Sequence, residues 1–190
     1  MTSHDDPLIV HPTGFTTQVK VIAGFALLEM AAAGVWTILH GNTEFIFYLV
    51  AFVPFSILLG LMHRRLRFSP VLLAGLRLLI LLHLAGGLVE LPRKVTTEGS
   101  HLLYNLWIWK PHLKFDQLVH AYGSMLATWF CWQLMQRTVA SRTGWAFQDL
   151  RPTGELLLFC ILSGLGIGAM NEVMEFATTH FVREHNVGGY

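Results

Sequence analysis

Two pairs of polar residues have spacings that support metal chemistry in an otherwise apolar chain. Asp116 and His120 are four residues apart, and Glu172 and Glu175 are three apart, so each pair lies on one face of a helix. Carboxylate and imidazole groups are ligands for zinc, manganese or iron. An ion held by them could activate a bound water for hydrolysis. We therefore predict a divalent metal site at these positions.

A third helix adds His83 and Glu90, seven residues apart and again on one face. Glu175 is the predicted general base toward a metal-bound water. Asn171, four residues before it, could orient its carboxylate. The predicted ligand set is His83, Asp116, His120, Glu172 and Glu175.

The same side chains have other uses, which the sequence leaves open. A network of hydrogen bonds and salt bridges could tie the helices together, with Arg93 or Lys114 as counter-charge. A proton or ion path is a second alternative. Haem ligation by His83 and His120 is a third, although nearby carboxylates would be an unusual lining for a haem pocket.

Composition places these polar residues in a membrane protein. Of the 190 residues, 53% are apolar and 13% are charged, whereas about 25% are charged in soluble domains. The formal net charge of +1 gives no reason to expect a nucleic acid partner. Cys131 and Cys160 lie in apolar stretches and are interpreted as buried thiols. The acidic, polar N-terminal segment predicts that no cleaved leader is present.

The elements that position the polar residues are predicted to be membrane-spanning helices. A span needs about 20 mostly apolar residues, and five stretches qualify: 19–40, 45–63, 70–91, 116–136 and 155–182. We predict an all-α polytopic bundle that forms one domain over residues 1–190. Short connections predict that the first three helices pack as antiparallel neighbours. In the longer connection 92–115, the aromatic run HLLYNLWIW is interpreted as a short interfacial helix.

Chain direction brings the polar pairs to one side of the membrane. Consecutive spans alternate in direction, so the third helix ends, the fourth begins and the fifth ends at the same level. Glycines in these helices, notably Gly164, Gly166 and Gly168 in SGLGIGAMNE, would let backbones approach closely. We therefore expect the imidazole and carboxylate groups to cluster there.

Charges elsewhere indicate the orientation of the bundle. Arg64, Arg65 and Arg67 crowd the second connection, which favours a cytoplasmic N-terminus and puts the polar cluster near the outer leaflet. Glu29 and Arg77 lie inside the first and third helices. We interpret them as a structural ion pair.

Three segments of the chain resemble a known family. LHLAGG around His83, FDQLVHAYGS with Asp116 and His120, and NEVMEF with Glu172 and Glu175 resemble uncharacterised bacterial inner-membrane proteins of the YjdF type, and more distantly VanZ-like proteins. The resemblance covers the third helix to the C-terminus. It implies a multi-pass helical fold, the same polar cluster, and a further helix and ligand beyond Tyr190.

Taken together, the residues predict a multi-pass protein of the bacterial inner membrane with a His/carboxylate metal site near the outer leaflet. That site would act on a lipid-linked or envelope substrate. The first alternative is a non-enzymatic scaffold or accessory subunit of a membrane complex, and the second is proton or ion translocation. Membrane lipids are the expected partners in every case.

Overall fold

Five α-helices make up most of the protein in a computed structural model. The structure describes residues 15–40, 43–92, 94–95, 101–144, 146 and 150–181. Within them the helices are α1 (Thr17–Leu39), α2 (Thr43–Leu66), α3 (Pro70–Leu88), α4 (Phe115–Thr143) and α5 (Gly154–Phe181). This architecture confirms the predicted all-α bundle.

Local signals explain where several helices begin and end. The Thr16 hydroxyl accepts a hydrogen bond from the Val19 amide (3.3 Å) at the start of α1. At α3, the Ser69 hydroxyl accepts from the Leu72 amide (3.2 Å), and Pro70 follows at the first helical position, where its missing N–H costs nothing. Gly144 ends α4 with a φ of 73°, a left-handed conformation that glycine adopts without strain.

Within the part of the chain that the structure describes, four helices are long and apolar enough to cross a membrane: Thr17–Leu39, Tyr48–Leu66, Pro70–Leu88 and Gly154–Ala177. The fifth predicted span, 116–136, corresponds to α4, which has 29 residues but lies outside that set. Residues such as Gln133, which is buried against its neighbours, make α4 more polar than the others. Because α4 packs against α2, α3 and α5, its polar groups can face protein.

The connection between α3 and α4 is not the interfacial helix that its aromatic residues suggested. Its helical part is a single 3₁₀ turn, Leu103–Asn105, which is followed by an antiparallel hairpin of β1 (Trp107–Trp109) and β2 (Leu113–Lys114). Alternating Trp107 and Trp109 suit a strand, and the ammonium of Lys114 lies 4.9 Å from the Trp107 ring centroid. The predicted short helix over HLLYNLWIW is therefore present only as the turn at Leu103–Asn105, and the prediction is wrong for Trp107–Trp109.

The buried apolar core lies mainly around α3. Buried Leu72, Leu73 and Leu76 form one apolar cluster with Val19 of α1 and Leu126 of α4. Thus α3 packs against α1 and α4, while α1 also packs against α2. Large apolar side chains are exposed along α1, α2 and α5, as expected of helices whose outer faces contact lipid.

One ion pair crosses the apolar interior between α1 and α3. The Arg77 guanidinium donates to the Glu29 carboxylate, which confirms the predicted pairing. Arg77 also lies over the Phe25 ring, 4.9 Å from its centroid. Glu29 retains 14% of its side-chain exposure, so loss of its partner would leave a charge with little access to solvent.

Small residues set the distance between α4 and α5. A Cβ added at Gly164 would lie 2.9 Å from the Thr128 backbone nitrogen, whereas one added at Gly166 would meet nothing within 4 Å. The two glycines therefore have different surroundings although they are two residues apart. Only the first one is required by close approach of the helices.

We predict that Gly164→Ala destabilises the protein by about 1–3 kcal/mol, because the added methyl group meets backbone that cannot rotate away. Gly166→Ala is the matched control, and it should leave stability unchanged or raise it. Thermal unfolding in detergent measures both. Equal effects of the two substitutions would contradict close packing at Gly164.

We also predict that Arg77→Met and Glu29→Gln each destabilise the protein by about 3 kcal/mol, because each leaves a buried polar partner uncompensated. The double variant should lose much less than the sum. A double-mutant cycle of unfolding free energies gives the coupling. Additive losses would show that the pair contributes no joint stabilisation.

Candidate metal centre

Asp116 and His120 lie in the first two turns of α4. β2 leads directly into this helix, and the Gln117 side chain accepts a hydrogen bond from the Lys114 amide (2.9 Å), which fixes the start of α4. His120 follows Asp116 by four residues, and its Nε2 lies 3.3 Å from Asp116 Oδ1. The predicted pairing on one helix face is present.

The last turns of α5 bring two more carboxylates to His120. Gly164 faces Thr128, and Gly168 faces Ser124, so four residues forward on α5 correspond to four residues back on α4. The next step in this antiparallel register pairs Glu172 with His120, and their Oε1 and Nδ1 atoms are 3.4 Å apart. Close packing at the glycines therefore determines which carboxylate reaches the imidazole.

Glu175 completes the group from the neighbouring turn of α5. Its Oε1 lies 4.0 Å from His120 Nε2 and accepts a hydrogen bond of 2.7 Å from the Asn171 side chain, as the sequence predicted. One ligand atom from each of His120, Glu172 and Glu175 lies within 4.8 Å of the others. These separations are compatible with ligands that converge on one ion.

Burial differs among the three carboxylates around the imidazole. The exposed fraction of the side chain is 15% for Glu175, 44% for Asp116 and 64% for Glu172. Glu175 is thus the most enclosed and is held by Asn171. Glu172 forms the open side, from which water or a substrate could approach.

The surroundings of His120 call for an added positive charge. Both of its ring nitrogens face carboxylate oxygens, yet a neutral imidazole offers one donor and one acceptor. One nitrogen lone pair would therefore point at a carboxylate unless a proton or a metal ion lies between them. Negative groups near a membrane are costly without such compensation.

His83 reaches the expected depth, but aromatic rings surround its imidazole. Leu79 packs on Gly123, so one further turn of α3 brings His83 level with the first turns of α4. Its ring meets the edges of aromatic rings, with centroid separations of 5.4 Å to Tyr48, 5.7 Å to Phe52 and 5.6 Å to Tyr104. The structure therefore leaves His83 outside the group of converging ligands.

Two other polar residues of the prediction make different contacts in the described part of the chain. Glu90 is exposed in extended chain, where it forms a bridge with Leu102. Lys114 lies over Trp107, and Arg93 is outside the described residues. Among the described residues, Lys114 is therefore not seen to neutralise the carboxylates.

Tyr104 makes a structural contact near the site that sequence reasoning missed. Its hydroxyl donates to the His83 carbonyl (2.8 Å), and its ring occupies the space where a Cβ on Gly86 would lie. Tyr104 thus fastens the α3–α4 connection to the end of α3. The pairing of an aromatic run with consecutive glycines, Gly86 and Gly87, is the signal that could have suggested this contact.

The fold and the apolar helices define a multi-pass α-helical membrane protein. The chain belongs to the family described as predicted membrane protein (DUF2238), whose model matches residues 22–188. That range includes most of α1 and all of α2, which the three resembling segments did not cover. The match supports the membrane-protein part of the resemblance, whereas the YjdF-type and VanZ-like assignments stay predictions.

No curated protein and no solved structure matches the chain.

Proposed function

We propose that this membrane protein binds one divalent metal ion through His120, Glu172 and Glu175 and uses it in hydrolysis. The convergence of ligand atoms from α4 and α5 within 4.8 Å carries the proposal. A tetrahedral ion with bonds of about 2.0 Å has ligands about 3.3 Å apart. The 3.4 Å between His120 Nδ1 and Glu172 Oε1 is close to that separation.

Asp116 has a different role in this arrangement from the three ligands. It lies 3.3 Å from His120 Nε2, so its carboxylate can accept a hydrogen bond from the Nε2 N–H and leave the Nδ1 lone pair for the ion. Metal-bound histidines commonly donate their other N–H to a carboxylate in this way. Asp116 therefore orients His120, and the predicted ligand role of Asp116 becomes a supporting one.

Three protein ligands leave a further position on the ion for water. The ion would lower the pKa of that water and supply a nucleophile at neutral pH. Glu175 is enclosed, is oriented by Asn171 and is a ligand in this arrangement. If one of its carboxylate oxygens binds the ion, the other would face the water and serve as general base. Exposed Glu172 leaves a path for substrate.

The level of the site in the membrane suggests the class of substrate. His120 lies near the start of α4, and Glu172 lies near the end of α5, so both are close to one membrane surface. Arg64 and Arg65 lie at the opposite end, which favours a cytoplasmic N-terminus and an outer-leaflet site in a bacterial inner membrane. A lipid-linked or envelope substrate would meet the ion there.

We predict about one metal ion per chain in detergent-purified protein, measured by elemental analysis. His120→Ala and Glu175→Gln should abolish binding because each removes a ligand. Asp116→Asn should weaken affinity about 10–100-fold, the usual effect of losing an orienting carboxylate. Glu155→Gln removes an exposed carboxylate at the other end of α5 and should keep the ion. Thermal unfolding confirms that each variant is folded.

A second prediction concerns His83. If its role is aromatic packing, His83→Phe should preserve both stability and metal content, whereas His83→Ala should destabilise the protein by about 2–4 kcal/mol through an unfilled cavity. The same metal and unfolding measurements apply. Loss of the ion from folded His83→Phe protein would instead restore His83 to the ligand set.

A structural or proton-carrying network is the rival, favoured by the carboxylates beside both nitrogens of His120. Metal-free wild-type protein, with His120→Ala merely unstable, would favour a scaffold. A pH-dependent flux in proteoliposomes that disappears in Glu172→Gln would favour proton transport. Either result would contradict the metal proposal.

A further inference from the structure

The end of the bundle opposite His120 contains a cleft between α2 and α4. Its volume is about 380 Å³, and it is lined by Met62, Arg65 and Leu66 of α2 and by Thr138, Ser141 and Arg142 of α4. Each set of three falls within one turn of its helix, so each forms a continuous face. The cleft therefore has walls from the C-terminal ends of two helices.

The chemistry of the walls suits an anion with an apolar attachment. Arg65 and Arg142 supply guanidinium groups, which bind phosphate through paired N–H donors. Ser141 Oγ donates to the Thr138 carbonyl (2.8 Å), so its lone pairs can accept from a hydroxyl of a ligand. Met62 and Leu66 add an apolar surface beside these polar groups.

The surrounding charge reinforces this preference. Several other basic residues occupy the same end of the described bundle: Lys20, Arg64, Arg67, Arg137 and Arg151. Among the described residues, Glu155 is the carboxylate at this end, and it lies on α5 outside the cleft. The local field therefore favours an anion.

The position of the cleft favours a lipid over a small soluble anion as its ligand. The apolar segment of α2 ends at Leu66, so the guanidinium groups of Arg65 and Arg142 lie near the level of the lipid headgroups. Below them, toward the middle of the membrane, α2 exposes Leu58 and Leu61, which offer a path for an acyl chain. A free phosphate has no acyl chain that could lie along this path.

We propose that this cleft binds the phosphate headgroup of an anionic phospholipid such as phosphatidylglycerol. Arg65 and Arg142 hold the phosphate, Ser141 accepts from a glycerol hydroxyl, and an acyl chain follows the exposed leucines of α2. Basic pockets between transmembrane helices bind anionic headgroups by the same chemistry. The site is separate from the carboxylate group at His120 and does not depend on a metal ion.

The test measures binding of palmitoyl-oleoyl phosphatidylglycerol to the full chain in a neutral detergent by native mass spectrometry. Arg65→Gln together with Arg142→Gln should weaken binding about 30-fold, because each arginine near an anionic headgroup contributes about fivefold. Arg64→Gln is the matched control, since Arg64 is exposed beside Arg65 but does not line the cleft. It should change affinity less than about twofold.

Other ligands show whether the site is specific. Phosphatidylcholine should bind weakly, and inorganic phosphate should not compete with phosphatidylglycerol at millimolar concentration. The proposal is overturned if phosphatidylcholine binds equally well, if Arg64→Gln weakens binding as much as the double variant, or if inorganic phosphate displaces the lipid. Should the double variant unfold, the two single variants, each about fivefold weaker, carry the same test.

Discussion

The close antiparallel contact between α4 and α5 is the interaction on which the candidate centre depends. Gly164 on the Thr128 backbone fixes both the separation and the register of the two helices. Counted from that contact, the carboxylate that reaches His120 is Glu172, and Glu175 follows on the next turn. A larger residue at position 164 would push the helices apart and would move two ligands away from the third.

The membrane environment gives this contact its importance. Apolar side chains gain little by leaving lipid for protein, so helix association in a bilayer depends on fitted packing and on polar contacts. The protein combines both kinds: glycine against backbone along α4 and α5, and the Glu29–Arg77 pair between α1 and α3. In that pair the carboxylate and the guanidinium compensate each other's desolvation.

The sequence predicted the level of the polar residues well and their direction less well. Alternation of helix direction sufficed to bring His83, Asp116, His120 and Glu172 to one end, because it depends on chain connectivity alone. Whether a side chain at that level points inward depends on rotation of its helix, and packing of Tyr48 and Tyr104 around His83 decides it. Gly164, Gly168 and Glu172 are spaced four residues apart, and this spacing matches the register of α5 against α4. The sequence alone did not reveal the register, because Gly166 lies between the two glycines and looks equally suited to helix contact.

The polar character of α4 follows from its position between the two ends. His120 and Arg142 are 22 positions apart in the sequence, which at 1.5 Å per residue is about 33 Å, slightly more than the apolar thickness of a bilayer. Because α4 packs beside the apolar helices α3 and α5, these neighbours shield part of its surface. A helix shielded in this way can carry carboxylate and imidazole groups at one surface and guanidinium groups at the other. The polar residues of α4 thus lie at the two proposed sites, whereas α1, α2 and α5 expose large apolar side chains.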